Sequence, residues 1–373
     1  MKRIAFYAPI KPPDHPIASG DRLIARNLIT ALQLAGYSVD LGSKFIAYSK
    51  KEDASILRDR KTGALTEAEH IIQTLQSDPP AAWMTYHPYC KAPDWIGPRV
   101  CQELCIPYIT VEAARTGQGF EDGGDRWALW REEAQAGLRE ANLHIAFKKS
   151  DIDYLETLMG SKASIRALSP FIDTTQTAVA ETVSLPGSWR PDAPTIVVVG
   201  MMRPGKKREN YRLILKALRP LQSLHWNLIL VGDGPERQSI KDDFGAFEPA
   251  RILFTGALAH EKVLGLMAQS DLFLWPGWKE PIGMVYLEAQ MMGLPVAAFD
   301  SMGVSLSVRH GQTGLLAAEN NLNEFTRNIA TLLSHPKLRD DFSQSAKENV
   351  MKNHSLDAAA QTLSEHLVPL IGS

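Results

Sequence analysis

The stretch from Asp271 to Pro295 limits the possible folds of this chain more than any other. Asp271 to Trp275 is a strand-like run, Pro276-Gly277-Trp278-Lys279 is a loop, and Glu280 ends that loop. From Gly283 the apolar spacing turns helical, and Gly293 with Pro295 stops the helix, because Gly takes the C′ position and Pro cannot continue the turn. One carboxylate therefore lies on a loop, a helix N-terminus follows, and a second carboxylate, Glu288, lies one to two turns into the helix. A helix N-terminus offers free backbone N–H groups and partial positive charge, which suits a diphosphate. Glu288 would lie roughly 7 Å along the axis from Gly283, at about 1.5 Å per residue. That reach fits a ribose diol, and Glu280 falls on the opposite side, where a sugar on the far phosphate would lie. The competing reading is an amphipathic helix with a solvated glutamate, since Glu is common on helix surfaces.

The run Pro276 to Pro295 resembles the P-S-x-x-E-P-F-G-L-V-x-L-E-A-M-A-x-G-x-P-V signature of retaining glycosyltransferases with the GT-B fold, the family often numbered four. Gly277 stands for the usual Ser, Ile282 for Phe, and Met292 for a small residue. The resemblance implies an α/β fold of two Rossmann-like β/α/β domains facing a central cleft.

Length and composition agree with that. The 373 residues are enough for about two domains. Hydrophobic residues make up 45% and charged residues 22%, as in an ordinary globular protein, and the net charge of −2 leaves no global nucleic-acid footprint. Cys90, Cys101 and Cys105 fit a reducing compartment. Cys101 and Cys105 stand one helical turn apart without a second ligand pair, so they read as small buried hydrophobes rather than a metal site. The chain starts directly with a strand and shows no signal peptide, and no run reaches the ~18 apolar residues of a membrane span. A cytoplasmic protein is expected. The polar segment from Ser43 to Leu65 carries Lys44, Lys50, Lys51, Arg58, Arg60 and Lys61. It reads as a solvated face, or as a basic 44–61 patch that docks an acceptor or gives peripheral contact with the inner face of a membrane.

In the N-terminal half, Arg3 to Pro9 is a buried strand pattern, Lys11 to Asp21 a loop, and Leu23 to Leu32 a helix ending at Gly36. Tyr37 to Leu41 is a second strand. This β-loop-α-β order favours a parallel sheet with helices on both faces, whose ligands bind at the carboxyl ends of the strands. Ser19-Gly20-Asp21 lies at such an end. Relatives in the resembled family carry a Gly-Gly pair here, whose backbone lies near the donor phosphate. Gly20 is the candidate for that role, and Ser19 or Asp21 as a helix N-cap is the reading that needs no ligand. Strand-like runs end at His87 and at Glu112. Many relatives place a His near the second position, beside the donor sugar; here Glu112 stands there and His87 one strand earlier, and both stay open as catalytic candidates. Lys148 to Asp151 opens a helix capped by Ser150 or Asp151. Ser169-Pro170-Phe171-Ile172-Asp173 resembles the family's domain crossing, and 174–194 reads as the linker.

In the C-terminal half, the strand Thr195 to Val199 leads into Gly200-Met201-Met202-Arg203-Pro204-Gly205-Lys206-Lys207, then a helix from about Asn210 to Leu218. This resembles the family's G-R-L and Lys, which grip the donor diphosphate; Arg203 matches, and Lys207 is the better-placed lysine, with Lys206 as its substitute. Gly232-Asp233-Gly234-Pro235 resembles a G-x-G-P turn. It lacks the third Gly of a dinucleotide fingerprint, which speaks against NAD. The strand ending at Gly256 is where relatives bring backbone groups to the nucleotide base, without saying which base. His310 to Gly314 resembles the D-G-x-T-G turn. Leu306 stands where many relatives have Glu.

The expectation is thus an acceptor-binding domain over 1–173, a donor-binding domain over 195–350, and a terminal helix over 351–373 packing back towards the first. The implied activity is retaining transfer from a nucleotide-diphosphate sugar, such as a UDP- or GDP-sugar, to a glycan or lipid-linked acceptor. Arg203, Lys207 and the N–H groups of Gly283, Met284 and Val285 would hold the diphosphate, Glu288 the ribose, and Glu280 the sugar. No cofactor and no metal is expected, because no Asp-x-Asp pair lies at a strand end, and no nucleic-acid partner. The alternatives are a nucleotide-sugar 2-epimerase of the same fold and an inactive relative that only binds nucleotide sugars.

Overall fold

The computed structural model describes residues 1–17, 19–113, 126–160, 164–185 and 192–372. The chain divides into two compact units: Met1–Ser169 together with the stretch from Leu356, and Pro170–Ser355.

The first unit runs β1 (Arg3–Tyr7), α1 (Gly20–Leu34), β2 (Ser38–Ser43), α2 (Ala54–Leu75), β3 (Ala82–Tyr86), α3 (Ile96–Leu104), β4 (Tyr108–Val111), α4 (Ala128–Arg139), β5 (Leu143–Ala146), α5 (Lys149–Met159) and β6 (Ile165–Ala167). Its six strands are parallel in the order β2-β1-β3-β4-β5-β6, with Ile4 opposite both Val39 and Ala82. β3 and β4 are buried along their whole length, as expected of apolar strands covered on both faces. The chain leaves β1 to one side for β2 and returns to the other side at β3. The carboxyl ends of β1 and β3 therefore flank a topological switch point, where α/β sheets bind ligands.

The second unit runs β7 (Thr195–Val199), α6 (Lys206–Leu218), β8 (Asn227–Val231), α7 (Arg237–Phe244), β9 (Ile252–Gly256), α8 (His260–Ala268), β10 (Leu272–Leu274), α9 (Met284–Met291), β11 (Val296–Asp300), β12 (Gly314–Ala318), α10 (Leu322–Ser334) and α11 (Pro336–Asn353). Its parallel order is β12-β11-β10-β7-β8-β9, which puts the switch point between β7 and β10. One buried cluster, with Trp226, Trp275, Tyr211, Tyr286 and Phe273, forms the core beneath it. The last helix, α12 (Leu356–Ile371), packs on α1 of the first unit.

Several expectations need correction. The segment read as polar surface contains α2, whose N-cap Asp53 accepts from Ser55 N at 2.6 Å and which buries Leu57, Ala64, Ala68, Ile71 and Ile72. Part of its basic charge is used internally: Lys44 pairs with Asp14 at 2.5 Å, Lys61 with Glu133 at 2.9 Å, and Arg60 donates to the Ile46 carbonyl. Lys50, Lys51 and Arg58 remain exposed. α5 begins two or three residues earlier than a Ser150 or Asp151 cap would require, behind Lys148 and without a side-chain cap bond, and Asp151 is buried instead. α6 starts at Lys206, not near Asn210, so both lysines lie in its first turn. The described part of the expected linker packs on the second unit through a 3₁₀ turn (Thr174–Val179) and the bond from Glu181 N to Glu261 O. Cys90 and Cys101 are buried, but Cys105 is exposed at the end of α3. Among the described residues, no helix is long and apolar enough to cross a membrane.

Candidate active site

In the second unit, three loops meet at the carboxyl edge of the sheet. A Cβ on Gly232 would lie 2.0 Å from the Gly200 carbonyl oxygen, so only glycine lets the loop after β8 press against the loop after β7. Gly232 N in turn donates to Gly256 O at 2.9 Å, which ties in the end of β9. Gly256 lies beside Arg237 and Asp233. At the start of α9, Gly283 is left-handed with φ 69°, and a Cβ there would strike the Tyr286 ring at 2.5 Å. This turn aims the first N–H groups of α9, those of Met284 and Val285, along the helix axis with no intrahelical acceptor.

The structure joins two residues that the sequence placed on separate loops. Lys207 Nζ donates to Glu280 Oε2 at 2.8 Å, across the switch point between β7 and β10. Trp275 completes a triangle: its ring centroid lies 5.1 Å from Lys207 Nζ, and its Nε1 donates to the same Glu280 oxygen at 3.4 Å. Arg203, four residues before Lys207 on the loop that leads into α6, is exposed and makes no ion pair among the described residues. Lys206 is exposed as well. Glu288 lies on α9 past the helix N-terminus, and burial pushes its carboxyl up to about 7.

A second cluster occupies the carboxyl edge of the first sheet. Ser19, one of the two cap candidates, caps α1 by accepting from Arg22 N, and a Cβ on Gly20 would meet nothing within 4 Å. Asp21 in the first turn reaches across the switch point to His87 Nδ1 at 3.0 Å. That hydrogen bond, with the imidazolium charge behind it, outweighs burial and holds the Asp21 carboxyl below the usual range. The His87 ring stacks on Tyr89 at 5.2 Å. Both His87 and Glu112 are left-handed, at φ 60° and 55°, which is uncommon outside glycine and concentrates at functional sites. Glu112 is 1% exposed and already engaged: Oε1 faces Lys148 Nζ at 2.5 Å and Oε2 accepts from Phe147 N at 3.2 Å. Lys148 also pairs with Asp151 at 2.9 Å. Burial works against the charge on Lys148, but the two carboxylates outweigh it and hold the ammonium above its usual value. Asp151 goes the other way, raised by burial and by Glu112.

Three participants were not singled out from the sequence. From the sequence, Asp21 stands out only as a cap, Lys148 only as the start of a run that opens a helix, and Trp275 only as the end of a strand. For Trp275 a signal was present, since an aromatic at a strand end beside Pro276 faces the sheet's ligand edge. The pairings themselves span 66 and 73 residues of sequence.

Residues 187–349 match the family model described as glycosyl transferases group 1. Alpha-D-kanosaminyltransferase of Streptomyces kanamyceticus is 28% identical over 174 residues, covering 46% of this chain and 45% of that protein. D-inositol 3-phosphate glycosyltransferase of Rhodococcus erythropolis is 28% identical over 244 residues, covering 61% and 54%. The chain thus spans about half the length of these curated relatives. Among solved structures, sucrose-phosphate synthase from Thermosynechococcus elongatus superposes with a TM-score of 0.70 at 18% identity, covering 99% of both chains. Anabaena HepE in complex with UDP gives 0.68 at 17%, covering 99% of this chain and 100% of that one. Similarity at that level shows the fold, here GT-B. The family match lies on the second unit, and the likeness over the whole chain shows the GT-B fold.

Proposed function

We propose that the chain transfers a sugar from a nucleotide-diphosphate sugar to an acceptor hydroxyl, with retention at the anomeric carbon and without a metal ion. One observation carries this reading: Lys207 and Glu280 meet over the switch point of the second sheet, beside the N-terminus of α9. A leaving diphosphate needs positive charge, and Lys207, the exposed Arg203 and the N–H groups at Gly283, Met284 and Val285 supply it. Each fixed donor aimed at developing charge is worth about 2.7–4 kcal/mol. Glu288 holds the ribose diol, and Glu280 turns to the donor sugar. The backbone at Gly256 faces the base.

In the first unit, the geometry favours His87 over Glu112 as the group that meets a sugar. Glu112 has both oxygens bound within its own chain, whereas Asp21 takes His87 Nδ1 and leaves Nε2 for a hydroxyl. The leaving phosphate accepts the proton of the attacking hydroxyl, so no separate base is required. Anabaena HepE has been solved with UDP-glucose, and UDP-glucose is therefore the first donor to try. Relatives named for lipopolysaccharide core synthesis and phosphatidylinositol mannosylation suggest a glycan or lipid-linked acceptor. Work at the inner face of a membrane, through the exposed Lys50, Lys51 and Arg58, belongs to the same reading.

Melting shifts against UDP-, GDP- and ADP-sugars test the donor site directly. At least one should raise the melting temperature, and turnover of that donor should survive EDTA. Glu280→Ala should lower turnover by on the order of 10²-fold, because sugar orientation matters chiefly in the transition state. Conversion of the donor sugar with no acceptor present would favour the 2-epimerase instead. Loss of activity in EDTA, restored by magnesium, would overturn the metal-free mechanism.

A further inference from the structure

We infer that Trp275 is a positioning residue whose indole face fixes the Lys207 ammonium where the diphosphate arrives; this rests on the proposed role of Lys207. Trp275 follows β10 and is 1% exposed, yet one face of its ring lies against the Lys207 ammonium. Ring and backbone are held in place by their neighbours. Tyr211 packs edge-on at 5.4 Å and 81°. Tyr286 donates to the Trp275 carbonyl at 3.2 Å, and Trp275 N donates to Ala297 O at 3.3 Å. A Cβ on Gly200 would lie 2.8 Å from the ring, so the strand end at β7 is glycine where the indole needs the space.

The physical need is clear from Lys207 itself. A lysine has a long flexible stem and loses rotamer freedom when its ammonium is fixed. Two groups fix it here, Glu280 and the indole face. In the proposed reaction Glu280 also turns to the sugar hydroxyls. The indole also donates its Nε1–H to Glu280, but the attraction of its face for a cation persists when Glu280 turns away. Packing alone would accept any large apolar side chain at this position; holding a cation requires an aromatic face.

The test measures UDP, GDP and ADP affinity of the full chain by titration calorimetry. Trp275→Phe keeps a face and should stay within about threefold of the wild type, whereas Trp275→Leu should weaken the tightest of the three by about three- to thirtyfold. In a Lys207→Met background, Trp275→Leu should add no more than about twofold, because the effect runs through the ammonium. Leu equal to Phe, or the full loss retained without Lys207, overturns the inference. A wild type that binds none of the three sinks the donor-site reading and this inference with it; a binding wild type indifferent to Trp275→Leu sinks the inference alone. Should Trp275→Leu fail to fold, fluorinated tryptophan incorporated throughout weakens the ring face at nearly constant volume. Affinity should then fall in the wild-type chain and not in Trp275→Phe, and an equal fall in both overturns the inference.

Discussion

Glu288 carries a prediction that depends on its protonation. Burial raises its carboxyl to about 7, while an unfolded glutamate titrates near 4.3. The folded state therefore keeps a proton that the unfolded state has lost. The sign follows: this group favours folding most below about pH 4, and stability declines as pH rises from about 4.3 to about 7, levelling beyond. Ligand binding should run the opposite way, because an ionised carboxylate accepts two hydroxyl donors of a ribose and a neutral one does not. Affinity for a nucleotide sugar, whose diphosphate does not titrate in this range, should rise up to about tenfold between about pH 6 and pH 8. Glu288→Gln should flatten the profile. A flat wild-type profile, or an equal slope in the variant, would remove Glu288 from the ribose. At this scale the sequence marks candidate residues and is silent about their partners. Glu280, Arg203 and Lys207 stand at strand ends and a helix start, which local patterns mark, and Glu288 lies inside the helix that follows Gly283. The Lys207–Glu280 pair, the Asp21–His87 pair and the engagement of Glu112 by Lys148 arise only when distant strands come side by side.

Among the elements, α6 has a first turn that helix stability alone would not choose. Lys206 and Lys207 occupy the positive end of the helix dipole, behind Gly205, which makes no side-chain cap bond. Cations there are unfavourable, and only Glu209 offsets them in that turn. The arrangement makes sense if an anion binds at this end, so stability and binding should respond in opposite directions. Lys206→Glu is expected to raise the melting temperature by about 1–3 °C and to weaken nucleoside diphosphate binding several-fold. Differential scanning fluorimetry with and without UDP measures both effects. A lower melting temperature with unchanged affinity would show that the lysines serve the fold. The late expected start of α6 has the same origin, since a Gly-Lys-Lys run reads as a loop to any rule built on stable caps. α2 was missed for a different reason. Its buried positions from Leu57 to Ala68 are widely spaced among charges and include two alanines, so its apolar stripe is thin. Elements with continuous apolar cores, such as β7 and β8, were legible because burial on both faces leaves no polar alternative.

For the whole molecule, the order of residues along the chain and the division into units do not coincide. The chain leaves the second unit next to where it entered it: Ile172 N donates to His354 O at 2.8 Å, and His354 Nδ1 meets Pro170 O at 2.7 Å. The last helix then returns to the unit in which the chain began. α12 buries Ala359, Ala360, Leu363 and Leu367 against the first unit, Lys2 Nζ donates to the Ile371 carbonyl, and His366 Nε2 meets Ala167 O at 3.0 Å. Two leucines and two alanines leaving water contribute on the order of 5 kcal/mol, comparable to the whole stability of a domain of this size. Ending the chain after Ser355 should therefore damage the far end of the sequence rather than the near one. Hydrogen exchange of the shortened protein should show lost protection in β1, α1 and β2, while β7, β8 and β10 keep theirs, because the second core contains no residue of α12. Loss of protection centred on β7 and β8 would mean that the terminal helix stabilises the second unit, and that the division at Ser355 is wrong.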